Sequence, residues 1–230
     1  MTSQVPLIEV CGNIGSGKST TLEHMKTLCE NPFVVFADEP VDEWMELRDA
    51  SSGGKSFLDL YYHNQKTWAL PFQLTALNSR VCALTRCVRS SSFVPIVVSE
   101  RALFSDRIFA ISLHKMGIIS DFELSVYEYN FQRACEASPC ELKELVYLRT
   151  DPSLCEARIR RRHREGETDI DLGYLKALHE AHEDAIEKLR AEGTVRIHVV
   201  DQDGEKETSC ANTDARERAT LVHSLVHCLA

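Results

Sequence analysis

The chain has no C-x-x-C pair, no apolar run of bilayer length and fewer cations than acids. Its longest apolar runs, FVVFA at 33–37 and VPIVV at 94–98, fall far short of the roughly 20 residues that cross a membrane, so no transmembrane helix is expected. Twenty-six Lys plus Arg against thirty-five Asp plus Glu leave a net charge of -9 over 230 residues. A general nucleic-acid or anionic-membrane binder needs a basic surface, and this composition excludes one. The nine cysteines are odd in number and scattered, which reads as reduced, mostly buried thiols rather than a disulfide framework or a zinc site. HEAHE at 179–183 spaces its histidines one residue too closely for H-E-x-x-H. The first basic residue is Lys18, so no secretory or transit signal is expected, and the expected location is cytoplasm or nucleus.

What is present is the composition of a globular protein, 43% hydrophobic and 27% charged. Short apolar runs at 5–11, 33–37, 94–99, 143–149 and 194–200 alternate with helix-length segments. That order predicts an α/β fold with a mostly parallel sheet covered by helices on both faces, one domain over 1–230. Between Phe57 and Val88 the pattern predicts one long helix kinked at Pro71. A loop is expected at 51–55, a polar loop at 201–214 and a last helix over ATLVHSLVHCL. RIRRRHREGETD at 158–169 predicts a helix passing into a charged, mobile loop.

GNIGSGKS at 12–19 matches G-x-x-x-x-G-K-[ST] and sits between a predicted strand and a predicted helix. A chance match in a chain of this length has odds of about 1%. Gly12, Asn13, Ile14, Gly15, Ser16, Gly17, Lys18, Ser19 and Thr20 are therefore expected to cradle a nucleoside triphosphate, ATP or another donor. Backbone N–H groups and the helix N-terminus would face the phosphates, Lys18 the β and γ oxygens, and Ser19 a Mg²⁺ ion. A glycine-rich turn that merely caps a helix leaves the lysine unexplained.

Open α/β sheets bind ligands at the carboxyl ends of their strands, so the other strand ends choose among P-loop chemistries. The second strand ends in Asp38-Glu39-Pro40 and the third in Ser99-Glu100-Arg101. Glu39 is the candidate base for an acceptor hydroxyl, Glu100 a direct or indirect Mg²⁺ partner, and Arg101 a clamp near the acceptor. No D-x-x-G or N-K-x-D supports a GTPase. Arg158 and Arg162 are four apart and share a helix face toward the phosphates, with Arg164 beyond; Arg160 and Arg161 are expected to face water. The segment from about 158 to 169 reads as a lid.

GNIGSGKST, EPVDEW, YHNQKTWALPFQ, ERALFSDR, YLRTDPSLCEARIRRRHREGE and YLKALHEAHED, in that order, resemble the deoxyribonucleoside kinase family. The resemblance runs through Asp201. It implies a P-loop kinase fold with a five-stranded parallel sheet and a helical lid, a homodimer, and transfer of the ATP γ-phosphate to a deoxynucleoside 5′-hydroxyl. Glu39 resembles the family's base, Gln73 the partner of the nucleobase, Trp68 and Phe72 pocket walls, Tyr62 and Glu167 partners of the 3′-hydroxyl, and Arg158, Arg162 and Arg164 the lid arginines. Two positions depart from the family pattern. Ala102 stands where a serine is usual, and DRIFA is one residue short, which leaves the base-stacking aromatic as Phe109 in altered register or missing.

Ala76, Arg80 and Asp106 resemble the set in kinases of deoxycytidine and purine deoxynucleosides, in which a carboxylate or Gln73 accepts from an exocyclic amine that thymine lacks. A broad kinase that also uses thymidine is the alternative within the family. A nucleoside monophosphate kinase would need further fixed cations for its acceptor phosphate, and a non-catalytic nucleotide-binding module would not need Glu39 or the lid arginines.

Overall fold

The computed structural model describes residues 4–167 and 169–202; the polar stretch past Gln202 and the last predicted helix lie outside them. Strand β1 (Val5–Gly12) passes through the glycine-rich turn into helix α1 (Lys18–Leu28), and β2 (Val34–Ala37) and α2 (Val41–Glu46) follow. A two-strand ribbon, β3 (Arg48–Asp49) and β4 (Lys55–Ser56), leads to α3 (Phe57–His63) and α4 (Gln65–Ser90). Then come β5 (Ile96–Glu100), α5 (Leu103–Lys115), α6 (Asp121–Ala137), β6 (Cys140–Arg149), α7 (Pro152–Arg162), α8 (Leu172–Glu192) and β7 (Arg196–Asp201).

Five strands form one parallel sheet in the order β2-β5-β1-β6-β7, the sheet expected of a P-loop kinase. β1 lies at its centre, and alternation along it sends side chains to opposite faces. Ile8 and Val10 pack with Leu22 and Met25 of α1 on one face, with Val98, Val146 and Leu148. Val5, Leu7 and Val97 meet Leu84 of α4 on the other, where Cys11, Leu145 and Tyr147 meet Ile186 and Leu189 of α8. Burial on both faces explains why these strands read as continuous apolar runs. Because every strand is parallel, the carboxyl ends of β1, β2 and β5 open on the same edge. The residues that follow them, the glycine-rich turn, Glu39 and Arg101, are brought together there.

One detail differs from the sequence expectation. The helix expected over Phe57–Val88 is divided at Asn64, not at Pro71. Asn64 leaves helical geometry and its side-chain oxygen accepts from the Thr67 backbone N–H at 3.2 Å, so a new helix is capped there while Pro71 is carried inside it. The segment after α7 touches the rest of the fold at two of its described residues. Gly166, at φ 84°, lies so close to the Asp59 backbone that a β-carbon would stand 2.9 Å from its nitrogen, and Arg48 pairs with Glu165 at 3.2 Å.

Candidate active site

The glycine-rich turn owes its shape to positions that only glycine fits. Gly12, Gly15 and Gly17 have φ of 147°, 77° and 93°. A β-carbon on Gly15 would stand 2.6 Å from the Cys155 carbonyl oxygen of α7, and one on Gly12 2.7 Å from that of Leu148. The turn therefore packs against both β6 and the helix that carries the arginines. Asn13 is turned inward, donating to the Leu175 carbonyl at 2.8 Å and accepting from the Ile14 N–H at 2.8 Å. Gly12, Asn13 and Ser16 shape the loop without facing the cavity, whereas Ile14, Gly15, Gly17, Lys18, Ser19 and Thr20 line it. The first N–H groups of α1 have no intrahelical partners and face an anion's position.

The cavity over this turn measures about 520 Å³ and continues from the phosphate end to an aromatic end. Seven cationic side chains and three carboxylates line it, in a chain of net charge -9, so the positive charge is concentrated where a polyphosphate would lie. Lys18 is 4% exposed, with Nζ on the Asn13 carbonyl at 2.7 Å. Burial and then the Arg101 charge hold its pKa down at about 7, against the pull of Glu100 and Glu39. A triphosphate in the cavity would restore its charge.

Glu39 stands between the two ends. Arg101 Nη1 donates to both its oxygens at 2.8 and 2.9 Å, and Arg80 Nη2 donates to Oε1 at 2.5 Å. Burial raises its pKa, but Arg101, Arg80 and Lys18 together outweigh burial and hold it down at about 2. Glu39 is a carboxylate at every physiological pH. Arg101 has φ 54°, a left-handed backbone rare outside glycine, and the turn is held by its N–H on the Val10 carbonyl at 3.0 Å. Its guanidinium lies 4.8 Å from the centre of the Phe109 ring, so Phe109 is present at the site despite the shortened DRIFA segment.

Glu100 accepts from Ser19 Oγ at 3.0 Å, and its pKa is raised by burial and by Glu39. Two adjacent oxygen donors beside the phosphate cradle suit Mg²⁺, which takes one or two protein oxygens and completes its octahedron with phosphate oxygens and water.

At the aromatic end, Tyr62, Phe72, Gln73, Ala76 and Arg80 line the cavity as expected, with Trp44, Leu58 and Tyr61 beside them. Gln73 is 3% exposed, and its Nε2 reaches the Tyr61 hydroxyl at 3.5 Å, itself 3.0 Å from the Tyr174 hydroxyl. Two residues expected at the base pocket do not line it. Trp68 does not line the cavity; it stands edge-on to Phe57 at 5.9 Å, one turn before Phe72 on the same face of α4. Asp106, 1% exposed, stands behind Arg80 rather than on the cavity surface and accepts from Arg80 Nη1. Sequence reasoning also passed over Trp44, although it ends the EPVDEW motif; the Arg80 guanidinium lies 5.1 Å from its ring centre.

The lid arginines Arg158, Arg162 and Arg164 line the cavity, and so does Arg161, which was expected to face water. The left-handed turn at His163, φ 49°, ends α7 beside the cavity, where Arg161 and Arg162 of its last turn reach the rim. Arg160 does face away, paired with Glu156 at 2.9 Å. Glu167, 5% exposed on its side chain, accepts from Arg162 at 2.7 and 2.6 Å and from Arg164 at 3.2 Å.

A model of the deoxynucleoside kinase family matches residues 8–227. The chain belongs to that family. Deoxycytidine kinase of Rattus norvegicus is 32% identical over 197 residues, covering 79% of this chain and 75% of the relative. A probable deoxycytidine kinase of Fowlpox virus is 31% identical over 177 residues, 76% of this chain and 69% of the relative. The mitochondrial thymidine kinase 2 of Macaca fascicularis is 33% identical over 183 residues, 77% and 63% of the two chains. This deoxynucleoside kinase accordingly takes its phosphoryl group from a nucleoside triphosphate, and the monophosphate-kinase and non-catalytic readings fall away. Among its described residues no helix is long and apolar enough to cross a membrane.

Proposed function

We propose that the enzyme transfers the γ-phosphate of ATP, with Mg²⁺, to the 5′-hydroxyl of deoxycytidine or a purine deoxynucleoside. The observation that carries this reading is the position of Glu39, an ionised carboxylate held by two arginines midway between a phosphate cradle and an aromatic slot closed by Gln73. Phosphoryl transfer has a loose transition state and needs positioning and charge more than a strong base. A carboxylate whose pKa is held near 2 fits that need. It accepts the hydrogen bond of the 5′-hydroxyl, orients one oxygen lone pair at the phosphorus and takes the proton late. Mg²⁺ bound by Ser19 and Glu100 would neutralise charge on the β and γ oxygens. Lys18 and the lid arginines spread the remaining charge of the transferring group. Tyr62 and Glu167 share a wall of the cavity and would meet the sugar's 3′-hydroxyl.

The base is chosen at Gln73 and Arg80. A Gln amide offers a donor and an acceptor side by side, suited to a Watson–Crick edge with an exocyclic amine. Arg80 fills the slot beside that edge, and moving it aside for the thymine methyl would leave Asp106 and strain Glu39 in a buried site. The enzyme would act as a homodimer, for which Phe122 and Tyr129 of α6, 76% and 63% exposed, offer surface to cover. Scattered cysteines without a C-x-x-C pair support a reducing compartment, cytoplasm or nucleus. The test is ADP release with each of the four deoxynucleosides, with deoxynucleoside monophosphates and without acceptor. Deoxycytidine or a purine deoxynucleoside should give the highest kcat/KM, and thymidine as the best acceptor would refute the substrate assignment.

A further inference from the structure

Behind the cavity wall runs a chain of contacts that ends on a helix with no surface at the site. Tyr127 of α6 is 0% exposed, and its hydroxyl donates to Asp106 Oδ1 at 2.6 Å. Asp106 Oδ2 accepts from Arg80 Nη1, and Arg80 Nη2 donates to Glu39. The Tyr127 ring is fixed by Leu77, Ala110 and Ala134 and lies 6.1 Å from the ring of Phe131. Tyr127 does not line the cavity and touches no atom that a substrate would touch.

We propose that Tyr127 is a positioning residue for base selection, holding Arg80 against the slot through Asp106. This inference rests on the reading of Arg80 and Asp106 as the pair that selects the base. A buried carboxylate must satisfy both oxygens. Arg80 satisfies one and Tyr127 the other, so the carboxylate has one orientation, and the guanidinium that follows it has one too. Burial already pushes the Asp106 pKa upward while Arg80 and Tyr127 pull it down. Without the hydroxyl, Oδ1 is left without a donor, the carboxylate turns or takes up a proton, and Arg80 is tethered only by Glu39. The slot then yields to a 5-methyl group. Glu39 keeps both bonds from Arg101, so the loss falls on selection more than on turnover.

Tyr127→Phe removes one oxygen and keeps the packing. The measurement is the ratio of kcat/KM for deoxycytidine to that for thymidine in the wild type, Tyr127→Phe, Asp106→Ala and the double variant. The expected result is a fall of roughly tenfold in Tyr127→Phe, the size of losing one hydrogen bond to a buried charge. It comes with a smaller change in kcat for deoxycytidine, and with no further fall when Tyr127→Phe is added to Asp106→Ala. An unchanged ratio in Tyr127→Phe beside a lowered one in Asp106→Ala would overturn this inference alone. Equal losses with all acceptors, or additive losses in the double variant, would also overturn it, because they mark general packing. An unchanged ratio in Asp106→Ala would overturn the reading of the pair and this inference with it.

Discussion

One nitrogen of Arg101 bridges both carboxylate oxygens of Glu39, at 2.8 and 2.9 Å. The clamp fixes the carboxylate's direction and its charge together. Glu39→Gln keeps the shape and removes the charge and the proton acceptor, so kcat should fall by about 10²-fold or more with a modest change in KM. Steady-state kinetics with the best deoxynucleoside decide it, and a wild-type kcat would remove Glu39 from the mechanism.

The same clamp makes a pH prediction. With the Glu39 pKa lowered from 4.5 to about 2, its ionisation should set no acid limb in the range where the protein is assayed. Arg101 is the largest of the lowering influences, so Arg101→Met should let the pKa rise. An acid limb absent from the wild type should then enter the kcat/KM profile from the low-pH side, on top of a lower plateau. A profile of unchanged shape would mean that Arg101 does not control the charge of Glu39.

Much of the site was legible because a parallel sheet forces the ends of its strands together, and motifs at three strand ends could be combined without coordinates. That Glu39, Glu100, Arg101 and the glycine-rich turn surround one cavity could be read in this way. What escaped depends on position along a helix and on depth behind the cavity wall. Trp68 and Phe72 are four apart on one face and look equivalent in sequence, yet Trp68 lies one turn nearer the start of α4 and only Phe72 lines the cavity. Asp106 was placed at the correct end of the molecule but one layer too close, since sequence does not show that Arg80 stands in front of it. Tyr127 carries no motif at all, and its only signal is a contact across 21 residues between two helices.

The lid should divide its arginines by direction. Arg158→Ala, Arg161→Ala and Arg162→Ala remove cations that line the cavity, and each should lower kcat by roughly tenfold or more. Arg160 points to Glu156 at the surface, and Arg160→Ala should stay within about twofold of wild type. Equal losses at all four positions would mean that only the general field of the helix matters.

Gly15 joins the phosphate cradle to the lid helix. Gly15→Ala places a β-carbon 2.6 Å from the Cys155 carbonyl oxygen at a φ of 77°, so the turn or α7 must move. Strain of this kind costs about 1–3 kcal/mol. The melting temperature should drop and the KM for the triphosphate should rise, whereas Gly53→Ala, at a similar φ with open space around it, should leave KM unchanged. A Gly15→Ala protein with wild-type KM would show that the cradle tolerates displacement.

The buried pair of Arg80 and Asp106 gives the sharpest prediction, because its single and double variants should rank in an order opposite to simple addition. Arg80→Met alone leaves Asp106 buried with only the Tyr127 hydroxyl, and an uncompensated buried charge is costly. Asp106→Ala alone leaves Arg80 with Glu39 as a partner, so it should be milder. The double variant removes both charges, while Glu39 keeps Arg101, and should be more stable than Arg80→Met. In the same protein the slot beside Gln73 loses its cation and gains a flexible apolar side chain, which a thymine methyl can pack against. Preference should therefore move toward thymidine in the double variant, by ten- to a hundredfold in the ratio of kcat/KM values, the range for losing a charged hydrogen-bond partner and gaining one methyl contact. Thermal melts and a four-substrate comparison on the three variants measure both halves. A double variant no more stable than Arg80→Met, with an unchanged preference, would mean that the two residues do not act on the base as a pair.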